Sequence, residues 1–127
     1  MSHMVLVIYD NEMNRELLST MLERLGLACL TREDGRSGLG ALEEHVYSLV
    51  MVDLKLPDMD GVDVVSAIRA HARNGATKVL LISGSQVADG QGSALCRQCD
   101  GYLAKPFTFD QLSDAVKAQL GEDFTSG

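Results

Sequence analysis

Three continuous apolar runs restrict this chain more than any other feature: Val5-Leu6-Val7-Ile8, Leu49-Val50-Met51-Val52 and Val79-Leu80-Leu81-Ile82. None shows the apolar–polar alternation of a strand with one wet face, so each reads as a strand covered on both faces. All are far too short to span a membrane. Between them lie segments with apolar residues at helical spacing. Strands alternating with helices at such short intervals imply an α/β domain built on a parallel sheet. The 127 residues suit one domain. A chain of that size buries roughly two-thirds of its unfolded surface, enough for a core without disulfide staples.

Strands are predicted over 4–9, 28–31, 48–53, 78–82 and 101–104. The first helix is predicted over 12–25, with Met13, Leu17, Leu18, Met21, Leu22 and Leu25 on one face and Gly26 as a left-handed C-terminal cap. A second is predicted over 37–45, with Leu39, Leu42 and Val46 facing in. The third, over 62–73, carries Val62, Val65, Ile68 and Ala72 as its stripe. A fourth, over 87–98, is weakened by Gly90 and Gly92, each costing about 1 kcal/mol in a helix interior. That low stability marks 86–98 as a candidate switching element. The last helix begins at a capping box of Thr108 and Gln111, with Phe107 placed to staple onto Leu112. Phe109, Leu112, Val116 and Leu120 face in, and Gly121 ends it. Right-handed crossovers put these helices on both faces of one sheet.

A formal net charge of -7 argues against nucleic acid or an anionic membrane as a direct partner, because no Lys/Arg stripe exists to neutralise phosphates. Three cysteines without an export signal point to a reducing, cytoplasmic setting. Cys96-Arg97-Gln98-Cys99 has no second cysteine pair beside it, and all three cysteines are read as free. His45 and His71 are read as solvated helix residues. Met1-Ser2-His3 reads as a cloning scar and 122–127 as a loose tail, which leaves 4–121 as the domain.

Ligands of parallel α/β sheets bind at the carboxyl ends of the strands. There the predicted strands deliver Tyr9-Asp10-Asn11-Glu12, then Asp53, Ser83-Gly84-Ser85 and Lys105-Pro106. Two carboxylates in reach of each other call for a cation between them, and oxygen donors at a small hydrated site favour Mg²⁺. A carboxylate can accept a phosphoryl group. A lysine can neutralise one of its oxygens, and a hydroxyl can hydrogen-bond another.

With those residues in place, the chain resembles a two-component response-regulator receiver domain, chemotaxis-regulator-like, from about Met4 to Leu120. The motifs are 5–12, Asp53 with Leu56-Pro57-Asp58-Met59-Asp60-Gly61, Ile82-Ser83-Gly84, and Gly101-Tyr102-Leu103-Ala104-Lys105-Pro106-Phe107. The resemblance implies a flavodoxin-like doubly wound sheet of five parallel strands in the order 2-1-3-4-5, with five helices. It implies Asp53 as the phosphoacceptor, and Asp10, Asp53 and the Lys55 backbone carbonyl as Mg²⁺ ligands. Ser83 would be the switch hydroxyl, Lys105 the lysine that pairs with the site, and Tyr102 the aromatic switch. Lys105-Pro106 would be a cis-proline bond, and Lys55 and Ser85 would tune phosphoryl lifetime. The implied partners are a histidine kinase or histidine phosphotransfer protein, and a downstream protein at the 87–120 face.

One departure stands out. Family members carry two adjacent acids after the first strand, and here Tyr9 replaces the first. Fewer carboxylates mean weaker binding of a hard cation, with Glu12 as a partial substitute. The chain is therefore either a receiver that is phosphorylated with weak metal affinity or a degenerate, phosphate-independent interaction module. The first is favoured because the other positions are filled. A haloacid-dehalogenase-type phosphatase would need an acid where Lys55 stands. A flavin carrier would need a phosphate-cradling loop after the first strand. A receiver assists only its own phosphorylation and dephosphorylation, so the chain is not read as a conventional enzyme. Blander roles are open to several residues: Asp10 as a helix cap, Asp58 and Asp60 as turn and cap residues, with Asp60 heading the third helix.

Overall fold

A computed structural model describes residues 4–83, 98–105 and 107–121. The strands are β1 (Met4–Ile8), β2 (Ala28–Arg32), β3 (Leu49–Asp53), β4 (Lys78–Ser83) and β5 (Gly101–Ala104). They form one parallel sheet in the order β2-β1-β3-β4-β5, as the resemblance implies. Among the described residues there are four helices: α1 (Glu12–Arg24), α2 (Gly35–Ala41), α3 (Gly61–Ala70) and α4 (Phe109–Leu120). The helix predicted over 87–98 falls almost wholly outside the described residues, as do Pro106, Ser85 and Cys96.

The continuous apolar runs are strands sandwiched between two cores. Val5, Val7 and Tyr9 of the β1 segment join Met51, Leu80, Ile82, Leu112 and Val116 on one face of the sheet. Leu6 and Ile8 join Val50, Val52, Leu81, Val64 and Ile68 on the other. Residues 5 to 8 have no exposure at all, which is why their sequence shows no alternation.

Local signals set the helix ends. Asn11 caps α1, its Oδ1 accepting from the Asn14 amide at 3.0 Å. The helix closes on Gly26, at φ 86°, where only glycine is free of strain. Leu27 N–H donates to the Leu22 carbonyl at 3.1 Å and Gly26 N–H to Glu23 at 2.9 Å, the Schellman pattern. The α4 capping box is present in both directions, and Leu112 and Val116 are fully buried beneath it.

Several predicted faces need correction. Leu18, Leu22 and Leu25 are buried, but Met13 and Leu17 are 77% and 52% exposed. One turn-to-turn stripe of α1 suffices to cover the sheet, and Met13 and Leu17 lie beside it. The second helix starts at Gly35 and stops at Ala41, so Val46 falls beyond it and is 60% exposed. Helix α3 ends at Ala70, and His71 is already extended. Ala72 is therefore exposed, and Val64 takes the core position instead.

Candidate functional site

The sheet register brings the site together. Asp53 is the last residue of β3 and lies opposite Ile82. One residue further along β4, Ser83 lies opposite Ala104. Lys105 follows directly and is tied back by its own amide, which donates to the Ser83 carbonyl at 2.7 Å. Asp53 and Ser83 are 4% and 2% exposed.

A buried carboxylate needs partners. Lys105 Nζ donates to Asp53 Oδ1 at 3.1 Å, and the Lys55 amide approaches the same oxygen at 3.4 Å. The Lys105 ammonium also stands 4.8 Å from the centroid of the Tyr9 ring, within cation–π range. Burial by itself would lower the Lys105 pKa; the Asp53 carboxylate and the Tyr9 phenol outweigh it, and the net direction is up. Tyr9 is 3% exposed. Its phenol is pushed up by burial, with Lys105 pulling the other way and Asp53 and Asp10 adding to the rise. Both acids therefore act on the same phenol, and Tyr9 lies among the predicted site residues.

Asp10 is exposed in the turn after β1. The capping role open to it belongs to Asn11, so its carboxylate is not engaged as the cap. Arg15 Nη1 donates to the carbonyls of Tyr9 and Asp10, at 2.8 Å each, and so fixes that turn from within α1. Glu12 is exposed on the first turn of α1, and no cluster of three acids, histidines or cysteines able to hold a metal occurs among the described residues. The Asp10 and Asp53 carboxylates follow or end neighbouring strands at this edge, and hard oxygen donors of that kind suit Mg²⁺, an ion that keeps several waters.

Loop 54–60 is held by residues whose roles the sequence did not reveal. Asp58 does not cap its own helix. Its Oδ1 and Oδ2 accept the Gly35 and Arg36 amides at 2.8 and 2.9 Å, at the start of α2. Those two hydrogen bonds hold its carboxyl below the usual range. Asp60 does head α3, but without a side-chain cap bond. Gly61 is required by close approach: a Cβ there would lie 2.4 Å from the Asp53 carbonyl oxygen. Tyr102 is half-buried on β5 and packs against the core face that holds Val64 and Ile68.

Away from the site, three readings change. His71 is not a solvated helix residue. Its Nδ1 accepts the Arg73 and Asn74 amides at 3.2 Å each, and its Nε2 meets Glu43 at 3.1 Å. His45 is exposed, but it lies in the loop after α2 with its ring edge-on to Tyr47. Cys99 is disulfide-bonded, whereas Cys29 is free with its thiol pushed up to about 11 by burial.

A cavity of about 370 Å³ opens beside the site, lined by Tyr9, Asn14, Leu17, Leu18, Lys105 and Phe107. Among the described residues, no helix is long and apolar enough to cross a membrane.

Comparison with known proteins agrees with this geometry. Residues 5–117 match the model of the response regulator receiver domain family. The chain is 31% identical over 114 residues to the cell cycle transcriptional regulator CtrA of Caulobacter vibrioides, covering 90% of this chain and 48% of that protein. It is 32% identical over 114 residues to the sensor histidine kinase RcsC of Salmonella typhi, covering 89% of this chain and 12% of that one. The chain thus spans about half the length of the regulator and a small part of the kinase. Among solved structures, the receiver domain of a sensor histidine kinase from Pseudomonas aeruginosa superposes with a TM-score of 0.84 at 25% identity, covering 95% and 99% of the two chains. That structure carries a magnesium ion in its active-site cleft. The chemotaxis regulator CheY4 of Vibrio cholerae superposes with a TM-score of 0.83 at 25% identity, covering 94% and 100%. Sequence, fold and the placement of Asp53 beside Lys105 agree, and the chain belongs to the response-regulator receiver domain family of two-component signalling.

Proposed function

We propose that this receiver is an active phosphoacceptor, taking a phosphoryl group from a phosphohistidine onto Asp53. The observation that carries the reading is the Lys105–Asp53 pair, 3.1 Å apart at the carboxyl edge of the sheet. An Asp53 carboxylate oxygen forms the new P–O bond as the P–N bond to the donor imidazole breaks, and the imidazole keeps the electron pair. Lys105 is placed to neutralise a phosphoryl oxygen, and Ser83, at the end of the neighbouring strand, offers a hydroxyl to another. Mg²⁺ bound by Asp10, Asp53 and the Lys55 carbonyl would add positive charge at the transferring group. Tyr9 in place of an acid lowers the expected affinity for that ion. The partners are a histidine kinase or phosphotransfer protein and, at the 87–120 face with Tyr102, a downstream protein. We place this chemistry in the cytoplasm and assign no nucleic-acid contact to the domain.

Intact-mass measurement after acetyl phosphate treatment tests this. The expected result is a phosphate adduct that grows with added Mg²⁺ and vanishes in Asp53→Ala. Tyr9 favours one other reading, a phosphate-independent interaction module. No adduct at any magnesium concentration would select it.

A further inference from the structure

Tyr9 does more than remove an acid. Its backbone is pinned from both sides, the amide donating to the Arg32 carbonyl at 3.0 Å and the carbonyl accepting from Arg15 Nη1 at 2.8 Å. Its ring is buried in the core face that holds Leu18, Met51 and Leu103. The face it leaves available is taken by the Lys105 ammonium, 4.8 Å from the ring centroid. That same nitrogen is 3.1 Å from Asp53 Oδ1.

Lys105 is one-third exposed and sits on a long flexible stem beside an open cavity. Fixing such a stem costs rotamer entropy, and an ion pair alone gives it little directional preference. A rigid aromatic face adds a second, directional restraint on the same ammonium. An aspartate at position 9 would attract the lysine as well, but it would also compete with Asp53 for it. A phenyl ring attracts the cation without being a rival anion.

We propose that Tyr9 is a positioning residue of the phosphoacceptor site: its ring carries the Lys105 ammonium and holds it against Asp53, so a fixed lysine supplies part of the positive charge that a further acid would recruit as metal. The proposal rests on the phosphoacceptor reading for its kinetic consequence, but not for its structural one. The ring face carries the contact and the phenol oxygen adds to it, so Tyr9→Phe keeps the ring contact and Tyr9→Leu loses both.

Two measurements test it. The first needs neither phosphoryl donor nor Mg²⁺: ¹H–¹³C NMR of the Lys105 ε-methylene. Ring current should place it upfield of the ε-methylenes of Lys55, Lys78 and Lys117 in wild type and Tyr9→Phe, and the shift should vanish in Tyr9→Leu. An unshifted Lys105 in wild type overturns the proposal, even if Tyr9→Leu does not fold. The second is the rate of adduct formation from acetyl phosphate at saturating Mg²⁺. Tyr9→Phe should stay within about 2-fold of wild type, whereas Tyr9→Leu should fall about 3- to 10-fold, the range of a partly desolvated cation–π contact. Equal rates in Tyr9→Leu and wild type, or an equal loss in Tyr9→Phe and Tyr9→Leu, would also overturn it. If no protein forms an adduct while the Lys105 shift behaves as described, the phosphoacceptor reading fails and the positioning contact stands.

Discussion

At the residue scale, the site depends on a balance of charge around one buried carboxylate. Asp53 is almost fully buried, and the Lys105 ammonium is its cationic partner among the described side chains. Removing the lysine leaves a buried anion without that compensation. Lys105 is one-third exposed, so water repays part of the loss. Lys105→Met should slow adduct formation at least tenfold at fixed Mg²⁺ while costing only about 1 kcal/mol of stability. Parallel mass spectrometry and urea melts would separate the two effects. A rate unchanged in a folded Lys105→Met protein would show that the ammonium plays no part in adduct formation at Asp53.

At the element scale, the site is held by contacts between element ends. Gly61 lets the start of α3 lie against the end of β3, and its amide donates to the Leu54 carbonyl at 2.7 Å. A methyl group at 61 would press on backbone that cannot yield as a side-chain tip can. Gly61→Ala should therefore cost about 1–3 kcal/mol, the usual range for forced overpacking, and should shift the NMR resonances of Asp53 and Leu54. A neutral result in both would mean that the loop relaxes freely. Asp58 joins the same loop to α2. Its carboxyl is held low in the folded state, so its contribution is present above the ordinary value of 3.8 and is lost as pH falls through the lowered folded value. Asp58→Asn should thus melt below wild type at neutral pH, with the gap closing as acid protonates Asp58. A gap that is constant with pH would assign the effect to geometry alone.

At the scale of the whole molecule, the end of the sheet opposite the site is locked by one buried amide. Asn74 is 1% exposed. Its Oδ1 accepts the Tyr47 amide at 2.9 Å, and its Nδ2 donates to the Leu42 and His45 carbonyls at 3.1 and 3.0 Å. It ties the loop before β3 to the loop before β4, so that β3 delivers Asp53 in register. Asn74→Ala should destabilise the domain by about 2–4 kcal/mol, because it strands several buried backbone groups. Chemical denaturation should show it as a lower midpoint at an unchanged slope.

Much of this was legible because its signals are local. Apolar runs without alternation marked the strands, and Gly26 and the Thr108–Gln111 box marked helix ends by chemistry confined to a single turn. Asp53, Ser83 and Lys105 could be placed at one edge because each directly ends or follows a predicted strand. The exposure of Met13, Leu17 and Val46 was not legible, since periodicity shows which residues could face a core but not how wide a face the core will cover. Nor were the reach of Asp58 to α2, the amide lock at Asn74, or the seating of Lys105 on the Tyr9 ring. By itself the sequence determined the five strands and the four helices among the described residues, their order, and which acids and bases stand at their ends. Only the tertiary structure decided which of those groups touch, because such contacts join residues far apart in the chain, and their geometry exists only once the sheet has set its register.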